Sequence, residues 1–404
     1  MQSNWRIGSL FGIPFYIDSS WLLILVFLTV INASDINASN VVEGQPVLGW
    51  VAGFVMALLL FVSVLLHELG HSLVAKNQGI EVNSITLFLF GGVASIAKES
   101  KNPREAFQVA IAGPVVSILL FALFLGLSQV AAEDSLPQFI TSDLGRINLV
   151  LALFNLIPGL PLDGGQVLKA AVWQVTGSRS KGVRWAAATG KILGWFGIIL
   201  GLFLVLVTAE VGAIWLTLIG WFILRNAAAY DQASALQKAL LEIVAADAMT
   251  RDFRVIDAKL TLRDFAEEFV LANSQTPKPY YASSDGRYRG LIDLIDLQAK
   301  ERSQWDYLTL LDIAQPLTEI PSVEEKSSLV EVINKLEEQQ LSSITVLSPA
   351  GAVAGIIDRA DVVRALGKKQ NLLIPEEEIK RIKTEGTYPQ GLQLNAIAKA
   401  IKEE

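Results

Sequence analysis

Histidine occurs at only two positions in this 404-residue chain, His67 and His71, in the apolar run VAGFVMALLLFVSVLLHELGHSLVAK. A spacing of four stacks the two imidazoles on one face of a helix, one turn apart. Two neutral imidazole nitrogens so arranged can fill two corners of a tetrahedral Zn²⁺ site. Glu68, between them, stands where a general base would accept a proton from an attacking water. A five-residue H-E-x-x-H match can arise by chance or cap a helix end, but the setting argues otherwise. An ionisable cluster inside an apolar segment costs several kcal/mol unless it is paired or coordinated, and the chain spends both of its histidines there.

A catalytic zinc needs a third protein ligand and an open position. The absence of cysteine excludes thiolate ligands, thiolate catalysis and disulfides alike, so the third ligand must be a carboxylate or an amide. Asp163, in FNLIPGLPLDGGQVL, follows a stretch interrupted by Pro158, Gly159 and Pro161, and the two glycines after it would allow close backbone approach. The same aspartate could equally serve as the N-cap of a helix over GGQVLKAAVW; spacing alone leaves both roles open. Asp18, Glu81 and Glu210 lack such a broken helix or lie toward the other side.

The elements that must position these residues are apolar. Hydrophobic residues make up 52% of the chain and charged residues 18%, with a mean hydropathy of +0.43, the balance of a membrane protein. The long apolar runs end by Arg225, and the remainder is rich in charge, which predicts two differently solvated parts. A net charge of −7 and a pI near 5.2 give no basis for nucleic-acid binding. The opening MQSNWRIGSLFGIPFYIDSSW is interrupted by Gly, Pro and Asp and reads as mature chain rather than a removable signal peptide.

A spanning helix needs about 20 largely apolar residues. Six segments qualify, near 16–33, 49–75, 104–130, 144–173, 189–208 and 212–226. The fourth is interrupted at its prolines, as are helices that line a site at membrane depth. Connections 34–48, 131–143 and 209–211 contain no Lys or Arg, whereas the alternate ones carry Lys76, Lys98, Lys101, Arg104, Arg179, Lys181, Arg184 and Lys191. Positive charge stays cytoplasmic, so both termini and the Lys76 end of the second helix are expected there, in a bacterial cytoplasmic membrane.

His67-Glu68-Leu69-Gly70-His71, together with Asn155-Leu156-Ile157-Pro158 and Asp163-Gly164, resembles the site-2 protease family of intramembrane zinc metalloproteases. The resemblance implies that His67, His71 and Asp163 bind one Zn²⁺, that Glu68 is the general base, and that Asn155 lies near the site to polarise the scissile carbonyl or orient a ligand. AGPVVS at Ala112 to Ser117 is similar to the family's A-G-P helix, with Ser117 where Asn is frequent. The implied substrate is a single-span membrane protein.

A transmembrane substrate is helical, so it must unwind before its carbonyls can be reached, and its backbone then needs new partners. Residues Val82 to Ala97, VNSITLFLFGGVASIA, read as strand, Gly turn and strand. The edge of this small membrane-associated hairpin, around Phe90, Gly91 and Gly92, is the expected place for substrate to bind by strand addition; an ordinary hairpin plugging the core is the plainer alternative.

Beyond the membrane part, Gly286, Gly290, Asp293 and Asp296 recur 65 positions later as Gly351, Gly355, Asp358 and Asp361, an internal repeat. Each copy reads as strand, helix, two strands and closing helix, and resembles a CBS domain. Two such copies commonly pack as one adenine-nucleotide-sensing module. Asp296 and Asp361 match the family's ribose-binding position, but Asp293 and Asp358 stand where a phosphate-binding Ser or Thr is usual, and only Arg359 compensates. A dimerising pair is the alternative. The expected organisation is a polytopic α-helical membrane domain over residues 1–228, a linker over 229–242, an α/β tandem CBS domain over 243–366 (repeats 243–305 and 306–366) and a helical tail over 367–404. Two rival functions fit the same outline, a CBS-regulated transporter or channel and an inactive protease-like scaffold.

Overall fold

The N-terminal stretch punctuated by Gly12, Pro14 and Asp18 forms strands rather than the start of a helix. In the computed structural model, which describes residues 5–42, 44–89, 91–208, 211–271, 278–389 and 391–403, β1 (Trp5–Leu10) and β2 (Ile13–Ile17) precede α1 (Trp21–Ala38). The first apolar helix therefore begins later than the residue 16 expected from hydropathy. The Asp18 carboxylate accepts from the Ser20 backbone N–H at 2.9 Å, so this acid serves a turn before α1. Helix α2 (Pro46–Asn77) carries both histidines, and β3 (Val82–Phe88) and β4 (Gly91–Ile96) follow it. The four strands form one sheet in the order β1-β2-β3-β4. β2 and β3 run parallel while β3 and β4 are antiparallel, and β4 is an edge strand.

The chain continues through α3 (Pro103–Val130), α4 (Leu136–Asn155), α5 (Asp163–Thr176), α6 (Arg179–Thr208) and α7 (Ile214–Glu242). Among the described residues, Ser20–Ala38, Pro46–Asn77, Pro103–Val130 and Arg179–Thr208 are long and apolar enough to cross a membrane. The segment expected at 144–173 is two helices, α4 and α5, separated where Pro158 and Pro161 deny backbone donors. The segment expected at 212–226 is the beginning of α7.

Packing in this part reverses the pattern of a water-soluble protein. On α6, Trp195, Phe196, Ile199 and Phe203 are exposed, whereas Gly182, Ala186, Gly190, Gly194, Gly197 and Gly201 are buried. A Cβ on Gly220 of α7 would lie 2.6 Å from the Ile198 backbone nitrogen, and one on Gly194 would lie 2.8 Å from the Gly220 carbonyl oxygen. Only glycine lets two backbones approach so closely, as small residues do where helices pack in lipid.

The chain divides into two units, Met1–Ser234 and Ala235–Glu404. Residues 229–242, expected as a linker, continue α7 as helix, and Ala239 and Leu240 are buried in the core of the second unit. That unit contains α8 (Ala245–Ala248), β5 (Arg254–Asp257), α9 (Leu262–Phe265), β6 (Tyr280–Ser284), β7 (Arg287–Ile292), α10 (Leu294–Gln298), β8 (Ser322–Glu324), α11 (Leu329–Glu338), β9 (Ser343–Leu347), β10 (Val353–Asp358) and α12 (Arg359–Lys369). Its two sheets, β5-β6-β7 and β10-β9-β8, have the same topology: one parallel pair and one antiparallel pair each. Gly286 and Gly351 occupy equivalent turns with φ of +70° and +75°, conformations that favour glycine.

The core contacts differ from the sequence boundary at 305/306. Ala245 and Ala248 are buried with β8, α11 and α12 of the second repeat, while Leu310 and Ile313 are buried with β5, β6 and α10 of the first. Each repeat thus completes its core with a segment from outside its own stretch of sequence, which a repeat signal centred on the β-hairpins does not reveal. The tail forms α13 (Glu376–Glu385) and α14 (Leu394–Glu403). Ile379, Ile382, Leu394 and Ala398 are buried in the second repeat's core, so these helices are part of the folded unit.

Candidate metal centre

The two histidines are buried, at 3% and 8% exposure, on the inner face of α2. The Nε2 atoms of His67 and His71 are 3.3 Å apart, and Asp163 Oδ2 lies 3.0 Å from the first and 3.2 Å from the second. Bonds of 2.0–2.2 Å to a tetrahedral zinc place its ligand atoms roughly 3.3–3.5 Å apart, so the triangle is about that of three zinc ligands, slightly contracted. Asp163 is the first residue of α5, whose N-cap is Leu162. Its carboxylate is directed at the histidines, and the N-cap alternative does not describe it.

The hydrogen-bond chemistry leads to the same place. The Val109 carbonyl can only accept, so His71 Nδ1, 2.6 Å away, carries a proton and the Nε2 of the neutral ring is a lone pair. His67 Nδ1 is 2.9 Å from Ser117 Oγ. With His67 in the same Nδ1–H tautomer, both Nε2 lone pairs and a carboxylate oxygen face one another, a donor set suited to a bound cation. The space exists because of Gly113 on α3: a Cβ there would lie 2.2 Å from His71 Nε2 and 2.5 Å from His67 Nε2, close to the length of a zinc–nitrogen bond. His67, His71 and Asp163 thus fit a zinc ion by donor type, spacing and available volume.

Asp163 is held by the broken segment before it. Cβ atoms on Gly164 and Gly165 would lie 2.3 Å from the Leu156 carbonyl oxygen and 2.3 Å from the Leu160 nitrogen, so the loop lies directly on the first turn of α5. The other side of the loop is fixed by the Leu160 N–H donating to the Ala186 carbonyl at 3.0 Å. Asn155 ends α4 immediately before this loop. Further along α5, buried Lys169 donates to Glu99 at 2.9 Å, and Arg179 reaches the same carboxylate at 2.7 Å. This tie joins the chain leaving β4 to the helix that carries Asp163. Burial works to raise the Glu99 pKa, but Lys169 and Arg179 outweigh it and hold it below the usual glutamate range.

Glu68 lies against β4. A Cβ on Gly92 would be 2.5 Å from Glu68 Cγ. Of the strand-edge residues singled out from sequence, Gly92 is thus brought beside Glu68, Gly91 begins β4 with φ of +132°, and Phe90 lies outside the described residues, as does Glu210. Sequence reasoning missed Val109 and Gly113 as parts of the site, although Gly113 lies within the A-G-P motif.

In the second unit, Asp296 accepts from Gln315 Nε2 at 2.7 Å. Asp361 is buried and forms a reciprocal cap with Asp358 at the start of α12; burial first, and then the neighbouring Asp358 charge, push its pKa up to about 6. Arg359 is engaged by Glu337 and by the Leu341 carbonyl.

An HExxH helix and a distant aspartate, embedded among apolar helices, define the class of a membrane zinc metalloprotease. The chain belongs to Peptidase family M50: that family's model matches residues 55–142 and 129–196, and the CBS domain model matches residues 312–368. It is 43% identical to sll0528 of Synechocystis sp., which bears a zinc-metalloprotease name, over 91% of this chain and 96% of that protein. The zinc metalloprotease MJ0392 of Methanocaldococcus jannaschii is 29% identical over 94% of this chain and 100% of its own. Among solved structures, the site-2 protease from Methanocaldococcus jannaschii matches 56% of this chain and 95% of its own at 33% identity, with a TM-score of 0.41. The protein is therefore an integral-membrane zinc metalloprotease of this family with a CBS-containing soluble part.

Proposed function

We propose that the chain is an intramembrane endopeptidase that hydrolyses a peptide bond within a transmembrane segment of a single-span membrane protein, in regulated intramembrane proteolysis. The observation that carries this reading is the convergence of His67, His71 and Asp163 on one point, beside Glu68 and the edge strand β4. Zinc bound there would polarise the scissile carbonyl and acidify the attacking water. Glu68 then takes the proton from that water at its carboxylate and returns it to the leaving amine. Asn155 offers its side-chain amide, which has no side-chain partner among the described residues, to the substrate carbonyl. Substrate unwound from helix adds to the edge of β4, whose backbone supplies the hydrogen bonds that lipid cannot. The six-span arrangement with a membrane-associated hairpin, cytoplasmic termini and a bacterial cytoplasmic membrane belong to the same reading.

For the soluble part we propose modulation of cleavage by an adenine nucleotide at Asp296 and Asp361, in an organisation of membrane domain, helical connection, paired repeats and packed C-terminal helices. Titration of labelled ATP or AMP against the full chain tests this; no saturable binding would leave homodimerisation as the role of the pair. The protease reading is tested by zinc analysis together with cleavage of a reconstituted transmembrane substrate by wild type and Glu68→Gln. Zinc retained with turnover lost in Glu68→Gln supports it. Zinc without cleavage in the wild type favours the inactive scaffold, and metal-independent solute flux favours the transporter.

A further inference from the structure

The two imidazoles of the metal centre owe their orientation to a third helix. Along α3, Val109, Gly113 and Ser117 are four residues apart and so line one helix face. The Val109 carbonyl receives His71 Nδ1 at 2.6 Å, Gly113 leaves the volume beside both Nε2 atoms, and Ser117 Oγ meets His67 Nδ1 at 2.9 Å. Ser117 is fully buried at 0% exposure. His71 has an obligate acceptor, so its tautomer is settled by backbone alone. His67 has a hydroxyl, which can accept or donate, and the choice depends on what lies at Nε2.

We propose that Ser117 is a positioning residue for the metal centre, its Oγ accepting from His67 Nδ1–H so that the Nε2 lone pair faces the ion. The inference rests on reading His67, His71 and Asp163 as a zinc site. Without the hydroxyl, His67 Nδ1–H is buried with no acceptor, and the tautomer with the proton on Nε2, which cannot bind metal, becomes competitive. Partners of this kind tune metal affinity without touching the metal.

The test is a zinc competition titration against a chromophoric chelator, on the full-length protein in detergent. Wild type is compared with Ser117→Ala, Ser117→Thr and Ser128→Ala. Ser128 is a buried serine on the same helix that donates to the Leu125 carbonyl at 2.8 Å, so its variant controls for loss of a buried hydroxyl from α3. Thermal unfolding of the chelated proteins checks that each variant is folded before metal is added. Zinc affinity should fall by about 10–100-fold in Ser117→Ala and stay within roughly threefold of wild type in Ser117→Thr and Ser128→Ala. Wild-type affinity in folded Ser117→Ala overturns the inference. So does an equal loss in Ser117→Ala and folded Ser117→Thr, since packing rather than the hydroxyl would then be responsible. If threonine does not fit the closed site and that variant fails to fold, Ser117→Ala against wild type and Ser128→Ala decides alone. A wild-type chain that binds no zinc removes the metal centre itself and this inference with it, whereas tight wild-type binding that Ser117→Ala leaves unchanged removes only the inference.

Discussion

Replacing Gly113 with alanine adds one methyl group, and the structure places it almost where the metal belongs. The new Cβ would lie 2.2 Å from His71 Nε2 and 2.5 Å from His67 Nε2, where ordinary contact begins at 3.4 Å. Each ring must therefore recede by about 1 Å, twice the tolerance of about 0.5 Å for a productive site. Zinc binding worth about 10–16 kcal/mol, shared over four ligands, assigns roughly 2.5–4 kcal/mol to each. Losing one histidine thus weakens binding by about 10²–10³-fold, and losing both abolishes it. The metal-free protein should lose only about 1–3 kcal/mol to overpacking, so zinc loss and misfolding separate. Zinc per chain is measured by elemental analysis after dialysis against a weak chelator, with thermal unfolding of the metal-free protein alongside. Gly126→Ala serves as control, because a Cβ at this α3 position meets nothing within 4 Å. Stoichiometric zinc and full activity in Gly113→Ala would refute the placement of the metal between these nitrogens.

Glu68→Gln should bind zinc as wild type does while losing cleavage by at least about 10²-fold, read from substrate gels, because an amide cannot take the proton. Gly92→Ala should lower the cleavage rate without lowering zinc content, since its Cβ would displace Glu68 Cγ from 2.5 Å. Single prolines along β4 should reduce cleavage at unchanged zinc content by removing edge N–H groups; equal activity would count against strand addition. In the second unit, the Asp361 carboxyl has its pKa raised from 3.8 to about 6 by burial and by Asp358. The folded state then holds a proton that the unfolded state has released, so stability is greatest below the lower value and falls as pH rises through this window, by about 2–3 kcal/mol. Amide exchange in α11 and α12 of the full chain should accelerate accordingly, and Asp361→Asn should flatten the pH dependence.

The HExxH helix was legible because its pattern is local: two histidines and a glutamate within about one turn need no knowledge of the fold. Asp163 was only narrowed, since an aspartate before a glycine pair is equally good as a cap, and what distinguishes the roles is a loop packed between α5 and α6. The A-G-P motif marked the stretch that holds Gly113 but not its role, which is the distance to atoms on α2. The strands β1 and β2 were missed because they lie mostly before the apolar segment that begins near residue 16, and the pairing of β2 with β3 is a long-range contact. The paired repeats were visible in the 65-residue register of glycines and aspartates. Their exchange of leading segments was not, because Ala245, Ala248, Leu310 and Ile313 lie outside that register and declare themselves only by where they are buried.

The most direct test of the account is to map the bond cut in a single-span substrate co-reconstituted with the protein in lipid vesicles, using mass spectrometry of the products. The account predicts one zinc per chain and a cut inside the apolar segment, absent with Glu68→Gln and with a zinc chelator. Cleavage confined to residues outside the membrane, or undiminished in Glu68→Gln, would contradict it.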